Sequence, residues 1–82
     1  MIEDDIKKAI EETKVVEFDY DSEKKGHSHR IGEPYDIKHT AQTDKLYLWD
    51  YSREEIRAFI IDNISNFKIL DQTFIPKKAL RI

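Results

Sequence analysis

The chain contains no cysteine, which excludes a disulfide framework and a metal site built on thiolates. Only two of its 82 residues are glycine, too few for the glycine-rich loops that cradle nucleotide phosphates. No apolar run approaches the roughly 20 residues that a membrane-spanning helix needs. The sequence motifs of serine hydrolases, P-loop enzymes and zinc proteases are missing as well. We therefore expect no membrane span, no cofactor, no metal and no enzyme activity.

Chain length limits the size of the core, and net charge limits the kinds of partner that the chain can bind. A chain of 82 residues forms one domain and buries only about 60–65% of its unfolded surface, so its core is small. The formal net charge of −3 disfavours strong non-specific binding to a phosphate backbone, although it leaves room for a local basic patch. The acidic segment Met1–Asp5 lacks the basic and apolar regions of a signal peptide, so we expect a cytoplasmic protein.

Hydrophobic periodicity predicts one helix over residues 1–14. Its apolar side chains recur at helical spacing and form one stripe: Ile2, Ile6, Ala9 and Ile10. From residue 15 onward apolar and polar residues alternate, which is typical of half-buried strands. Strands are predicted near residues 16–20, 30–39, 45–51, 57–61 and 65–70. In the second strand Pro34 must lie at an edge, a bulge or a bend, and the nearby Gly32 favours a bulge.

Five short antiparallel strands in so short a chain predict a small barrel over residues 15–71, followed by a tail over residues 72–82. Pro76 is expected to open a last helical turn in that tail. The fold class is α+β, with the N-terminal helix packed on a five-stranded antiparallel barrel whose wiring resembles Sm and SH3 domains. The side chains expected in the core are Ile6, Ala9, Ile10, Phe18, Ile37, Leu46, Leu48, Phe59, Ile61 and Ile64.

The third strand has two chemically different faces. Leu46, Leu48 and Asp50 alternate with an aromatic row: Tyr47, Trp49 and Tyr51. The leucines are the expected core side, because a small barrel favours an aliphatic interior. The aromatic row is then either covered by the N-terminal helix or exposed for a partner, and for Trp49 we expect the helix to cover it.

The order of several short motifs resembles the WYL domain family, which is named after a Trp-Tyr-Leu strand. These motifs are the pair Ala9-Ile10, Phe18-Asp19-Tyr20, Arg30 before Pro34, Tyr47-Leu48, and Arg57-Ala58-Phe59 followed by Ile64. The chain departs from the family pattern at two positions. Leu46 replaces the tryptophan, and Asn63 stands where the family often has an arginine. If that arginine binds ligand in relatives, this chain lacks one positive group.

The resemblance implies a regulatory domain. In the family, such domains usually follow a helix-turn-helix or winged-helix DNA-binding domain in bacterial transcription regulators. They are thought to sense a negatively charged or nucleic-acid-like ligand through a basic and aromatic surface. A chain of this length has no room for an added DNA-binding domain, and its single acidic N-terminal helix is no recognition helix. We therefore expect a stand-alone WYL-like module.

Arg30, Tyr47 and Arg57 are the candidate ligand-binding residues. Two guanidinium groups on adjoining strands can fork onto phosphate or carboxylate oxygens, and a nearby phenol adds a hydrogen bond and a stacking face. The structural alternative is that Tyr47 belongs to the core and Arg57 pairs with a nearby acid. The acids in question are Asp50, Glu54 and Glu55.

His29, Trp49 and Tyr51 are additional candidates for the same surface. His27 and His29 point the same way on a strand, which is compatible with a metal site. A closed site needs about four ligands and no third one is apparent nearby, so a polar loop entering a strand is the better interpretation. With a reference pKa of about 6.5, these histidines would add positive charge beside Arg30 in mild acid.

The sequence therefore predicts a non-enzymatic, ligand-binding regulatory module. Its expected ligand is anionic, a nucleotide or a single-stranded nucleic acid. The alternative is a protein-interaction or homo-oligomerisation module that uses the aromatic row. Arginines that converge beside a concave surface would favour ligand binding, whereas an exposed aromatic patch away from any arginine would favour interaction with another chain.

Overall fold

The computed structural model describes residues 2–77. One helix, α1 (Ile2–Glu12), precedes the strands β1 (Lys14–Ser22), β2 (Gly26–His39), β3 (Asp44–Asp50), β4 (Glu55–Ile60) and β5 (Ile64–Thr73). A short 3₁₀ turn, Ile61–Asn63, separates β4 from β5. The predicted α+β class, with one N-terminal helix followed by five antiparallel strands, is confirmed. The helical turn predicted to open at Pro76 falls largely on residues 78–82, which lie outside the described residues.

The five strands form one antiparallel sheet in the order β4-β3-β2-β1-β5. Successive hairpins join β1 to β4, and β5 returns to pair with β1 on its other side. The three-residue turn Ile61–Asn63 carries the chain from one edge strand of this sheet to the other. The described sheet is open, so the closed Sm/SH3-like barrel stays a prediction.

Helix α1 ends at Glu12, two residues before the predicted end at residue 14. Acidic side chains occupy its first turn, where they interact favourably with the positive end of the helix dipole. Thr13 has a φ of 51°, and its N–H donates to the Ile10 carbonyl at 3.2 Å, so the chain leaves the helix and enters β1 directly. Ile6 and Ala9 are fully buried against the sheet. No helix among residues 2–77 is long and apolar enough to cross a membrane.

The core lies between α1 and one face of the sheet. Eight of the ten predicted core residues are buried, whereas Ile10 and Ile37 are partly buried and pack against the cluster. Val15 and Val16 are also fully buried, and the alternation at the helix–strand junction did not predict Val15. Phe18 and Phe59 meet edge to face, with ring centroids 5.3 Å apart, which joins β1 to the edge strand β4.

The pairing of strand β2 is irregular at its proline. The β2–β3 register shifts between Pro34 and Asp36, which confirms the predicted irregularity at the proline. Gly32 has a different role from the predicted one. A Cβ atom at this position would lie 2.1 Å from the Trp49 carbonyl oxygen, so the glycine permits close approach of β3.

The sheet has an inner face toward the core and an outer face. Leu46 and Leu48 point to the inner face, in one cluster with Ile6 and Ala9 of α1. Trp49 lies on the opposite, outer face, half-buried, with the Lys77 ammonium 4.9 Å from its ring centroid. The expectation that α1 covers Trp49 is therefore wrong, because the helix packs on the leucine side of the strand.

Candidate functional site

A groove of about 400 Å³ opens at the rim of the inner face, between β4 and the β1–β2 hairpin. We call it the inner groove. Its lining residues are Tyr20, Ser22, Lys25, Ser28, Arg30, Arg53, Arg57, Ala58 and Phe59. Four of these side chains are cationic, and none of the described lining residues is acidic. A smaller cavity of about 210 Å³, between α1 and β2, instead mixes acidic and basic side chains.

Strand pairing brings the two predicted arginines together. Arg30 is opposite Phe18 in the β1–β2 register. Arg57 is opposite Leu48 in the β3–β4 register. Because directly paired residues of antiparallel strands share a face, both arginines point to the inner face that carries the core. They differ from their core neighbours in lying at the open rim of that face.

Arg30 is held in place by a buried carboxylate. Its Nη1 atom donates to Asp50 Oδ2 at 2.9 Å, and its Nε atom donates to Ser28 Oγ at 3.2 Å. The Asp50 side chain is 0% exposed and the Arg30 side chain 13% exposed. Asp50 also accepts hydrogen bonds from the amide and hydroxyl of Ser52. Most of the Arg30 charge is therefore balanced within the protein, and the pair fixes the floor of the groove.

Arg57 has no such partner. Asp50 pairs with Arg30 instead, and within residues 2–77 no carboxylate forms an ion pair with Arg57. The structural alternative in which Arg57 pairs with Asp50, Glu54 or Glu55 is therefore wrong for the described part of the chain. The Arg57 side chain is half-buried, so a charge without a counter-charge stands at the mouth of the groove. An anion bound there would supply the missing partner.

Two further cations come from turns. Arg53 belongs to the β3–β4 turn, where its own amide and that of Glu54 both donate to the Asp50 carbonyl. Lys25 belongs to the β1–β2 turn, where its amide donates to Ser22 Oγ and the chain closes at Gly26 with a φ of 74°. Sequence reasoning missed both. Their presence in turns gave no periodic signal, and only the hairpin geometry brings the two turns to one rim.

Tyr47 does not join the two arginines. Tyr47 is opposite Ala58 in the β3–β4 register and lies on the outer face. The Lys38 ammonium is 5.0 Å from the centroid of its ring. The phenol of the inner groove is Tyr20, whose Oη accepts a hydrogen bond from the Ile60 amide at 3.0 Å. Tyr20 lies two residues after the buried Phe18, so the alternation of β1 already placed it on the inner face.

The additional candidates also lie on the outer face. The imidazole of His29 lies between two carboxylates, 2.9 Å from Asp19 Oδ1 and 3.0 Å from Glu17 Oε2. Hydrogen bonding to Asp19, and then to Glu17, raises the pKa of His29 above its ordinary value. Trp49 and Tyr51 surround a different residue, Glu33. None of the three extends the inner groove, and the charge of His29 faces away from Arg30.

All three histidines form ion pairs with carboxylates. His27 and His29 both bind carboxylates on β1. Elsewhere Glu3, His39 and Asp44 bring ligand atoms within 4.8 Å of one another. His39 already contacts both acids, at 3.3 Å and 2.8 Å, and two of the three residues are exposed. A group of three ion-paired surface residues falls short of the four ligands that a structural zinc site needs.

Comparison with known proteins identifies a solved structure of similar fold and a matching family model. A chain of proteasome accessory factor B/C (PafBC) of Arthrobacter aurescens superimposes with a TM-score of 0.80 at 18% identity, covering 88% of this chain. The match spans 11% of that longer chain. A search of curated protein sequences gives no significant match. The family model described as WYL domain matches residues 2–69. Since this model covers most of the sequence, the chain belongs to the WYL domain family.

Proposed function

We propose that this chain is a non-enzymatic regulatory module whose inner groove binds an anionic ligand, a nucleotide or a short single-stranded nucleic acid. The observation that carries the proposal is the convergence of four cationic side chains in one groove with no acidic side chain among its described lining residues. Membership of the WYL family supports the regulatory role. The same membership supports a bacterial, cytoplasmic setting and closure of the sheet into an Sm/SH3-like barrel.

Each cation has a distinct part in this proposal. Arg57, which has no ion-pair partner among the described residues, presents a guanidinium that can take two oxygens of one phosphate. Arg53 and Lys25 are exposed on opposite turns and can close on the ligand from either side. Arg30, fixed by Asp50, offers N–H groups at the base of the groove without needing to move.

The other lining residues suit a nucleotide-like anion. The hydroxyls of Ser22 and Ser28 can donate to phosphate oxygens. Tyr20 presents a half-buried ring next to Phe59, with centroids 4.9 Å apart, and an aromatic surface beside a basic groove accepts a base by stacking. Asn63 lies one cavity further along, also beside Tyr20, so the arginine that relatives often carry there would extend this basic surface.

Geometry favours ligand binding over the interaction module. The arginines converge beside a concave surface, which is the arrangement expected for a ligand site. The aromatic row of the outer face is not an open patch, because Trp49 is half-buried under Lys77 and only Tyr51 counts as exposed. A protein or homo-oligomeric partner therefore remains the second candidate, and binding at the outer face would be the observation in its favour.

The test is the affinity of single-site variants for a short single-stranded DNA and for a nucleoside triphosphate. Arg57→Ala and Arg53→Ala should each weaken binding. Lys8→Ala is the matched control, because Lys8 is an exposed cation on α1 that does not line the groove. The wild-type affinity should fall with salt along a shallow slope, since few phosphates are contacted. Equal losses for the groove variants and the control would mean that the overall charge, and not this groove, attracts the ligand.

A further inference from the structure

The outer face holds a buried carboxylate in a small aromatic enclosure. Glu33 is opposite Trp49 in the β2–β3 register, and its side chain is only 7% exposed. Its Oε1 atom accepts a hydrogen bond from the Tyr35 hydroxyl at 2.8 Å, and its Oε2 atom accepts one from the Tyr51 hydroxyl at 2.9 Å. We call these four residues, Glu33, Tyr35, Trp49 and Tyr51, the Glu33 site.

An ammonium group fills this site. Lys77 Nζ donates to Glu33 Oε1 at 2.7 Å and lies 4.9 Å from the centroid of the Trp49 ring. The combination of a carboxylate with an indole face is a standard way to bind an alkylammonium group, because charge attraction and cation–π attraction add. The site is thus complementary to the end of a lysine side chain.

The Glu33 site carries the negative charge of the Glu33 carboxylate. Burial raises the pKa of Glu33, but hydrogen bonds from Lys77, Tyr35 and Tyr51 outweigh this and hold the pKa below its ordinary value. Burial beside this anion also raises the pKa of both Tyr35 and Tyr51 to about 12, so their hydroxyls stay protonated as donors. Glu33 therefore remains an anion at neutral pH, and a buried anion needs a cation.

The cation, in contrast, comes from an irregular segment. Residues 74–77 have no helix or strand structure, and Ile75 is 89% exposed. Polar contacts attach the segment at its two ends: the Phe74 amide donates to the Thr13 carbonyl, and the Lys77 amide donates to the Tyr35 hydroxyl. The Lys77 side chain itself is 38% exposed.

The Arg30–Asp50 pair shows the other way to balance a buried acid. There both partners belong to strands of the sheet, and the cation is 13% exposed. At the Glu33 site only the acid belongs to the sheet, and the cation belongs to an irregular segment outside the strands. The three rings of the enclosure belong to β2, β3 and the turn after β3, so none of them lies on the segment that carries Lys77.

We propose that the Glu33 site is a binding site for a primary alkylammonium group, which Lys77 occupies in cis and which a free amine or an exposed lysine side chain of a partner occupies in its place. Because the site lies on the outer face, this proposal is independent of anion binding in the inner groove. Displacement frees the Lys77 end of this segment, which would then signal that the site is filled.

The experiment uses Trp49, the only tryptophan of the chain, as a fluorescent probe. Lys77→Met removes the internal ammonium and keeps an unbranched side chain. Its fluorescence should change saturably with n-butylammonium, and the neutral isostere n-butanol should have no such effect. Wild type should show a smaller change at several-fold higher concentration, because Lys77 competes at high effective concentration and already places an ammonium beside the indole. Glu33→Gln in the Lys77→Met background should abolish the response, with Lys68→Met as a control that behaves as wild type.

Two further measurements keep the proposal falsifiable. Putrescine and Nα-acetyl-lysine N-methylamide distinguish a small diamine from a lysine side chain as the preferred source of the ammonium. NMR titration of the wild-type chain avoids any folding defect of the variants, and n-butylammonium should shift the Lys77 amide and the Trp49 indole together. A saturable response that survives Glu33→Gln, or no response in either the Lys77→Met variant or the wild type, would overturn the proposal.

Discussion

The ion pair between Arg30 and Asp50 is the best place to perturb both the fold and the inner groove. Asp50 is completely buried and accepts hydrogen bonds from the Arg30 guanidinium and from Ser52. Asp50→Asn keeps the volume but removes the charge, which leaves a guanidinium that is only 13% exposed without its counter-charge. Removing one partner of such a buried pair costs about 3–5 kcal/mol. A domain of this size has roughly 4–12 kcal/mol in all, so a large part of its stability depends on this pair.

The assay is urea unfolding of a double-mutant cycle with Arg30→Met and Asp50→Asn. Each single variant should be strongly destabilised, whereas the double variant should be less destabilised than the sum, with a coupling of about 0.5–3 kcal/mol. If Asp50→Asn lowers the free energy of unfolding by less than about 1 kcal/mol, or if the two losses simply add, the pair does not hold the groove together.

Three other changes test the fold. Leu48→Ala empties a fully buried position and should lower the free energy of unfolding by about 2–5 kcal/mol, and an unchanged melting temperature would remove Leu48 from the core. Gly32→Ala places a Cβ atom against the Trp49 carbonyl and should disrupt the β2–β3 pairing, so a native-like circular dichroism spectrum and melting temperature would contradict the close approach. The raised pKa of His29 means that its pairing with Asp19 stabilises the fold fully below about pH 6.5 and is lost as the pH rises through the higher folded-state value. His29→Asn should remove this component of the pH dependence of unfolding, and an unaltered profile would exclude it.

Much of the fold could be predicted from local patterns. The change from helical spacing to alternation at Val15 and Val16 locates the end of α1 and the start of the sheet, because burial of one face imposes these two periods. The leucine face of β3 follows from the same rule, and Leu46 and Leu48 are indeed buried. Alternation does not identify which element packs on each face. The sequence therefore predicts that the helix covers Trp49, whereas Lys77 contacts it.

The site was only partly predictable for a related reason. The sequence points to Arg30 and Arg57, and both line one groove. Their common face depends on the registers that pair Phe18 with Arg30 and Leu48 with Arg57. Register is a long-range property that one strand does not encode. The family motif points to Tyr47, although its alternation with Leu48 places it on the other face from the leucines. Lys25 and Arg53 lie in turns, where no period exists to reveal them.

The central claim is that the inner groove binds an anion, and chemical-shift mapping tests it most directly. A ¹⁵N-labelled wild-type chain is titrated to millimolar concentration with a short single-stranded oligonucleotide and, separately, with a nucleoside triphosphate. The structure predicts saturable shifts for the amides of Tyr20, Arg30, Arg57 and Ala58, with little change at Trp49 on the outer face. Shifts confined to Trp49 and its neighbours would favour the interaction module, and no shifts around the groove at millimolar ligand would contradict anion binding there.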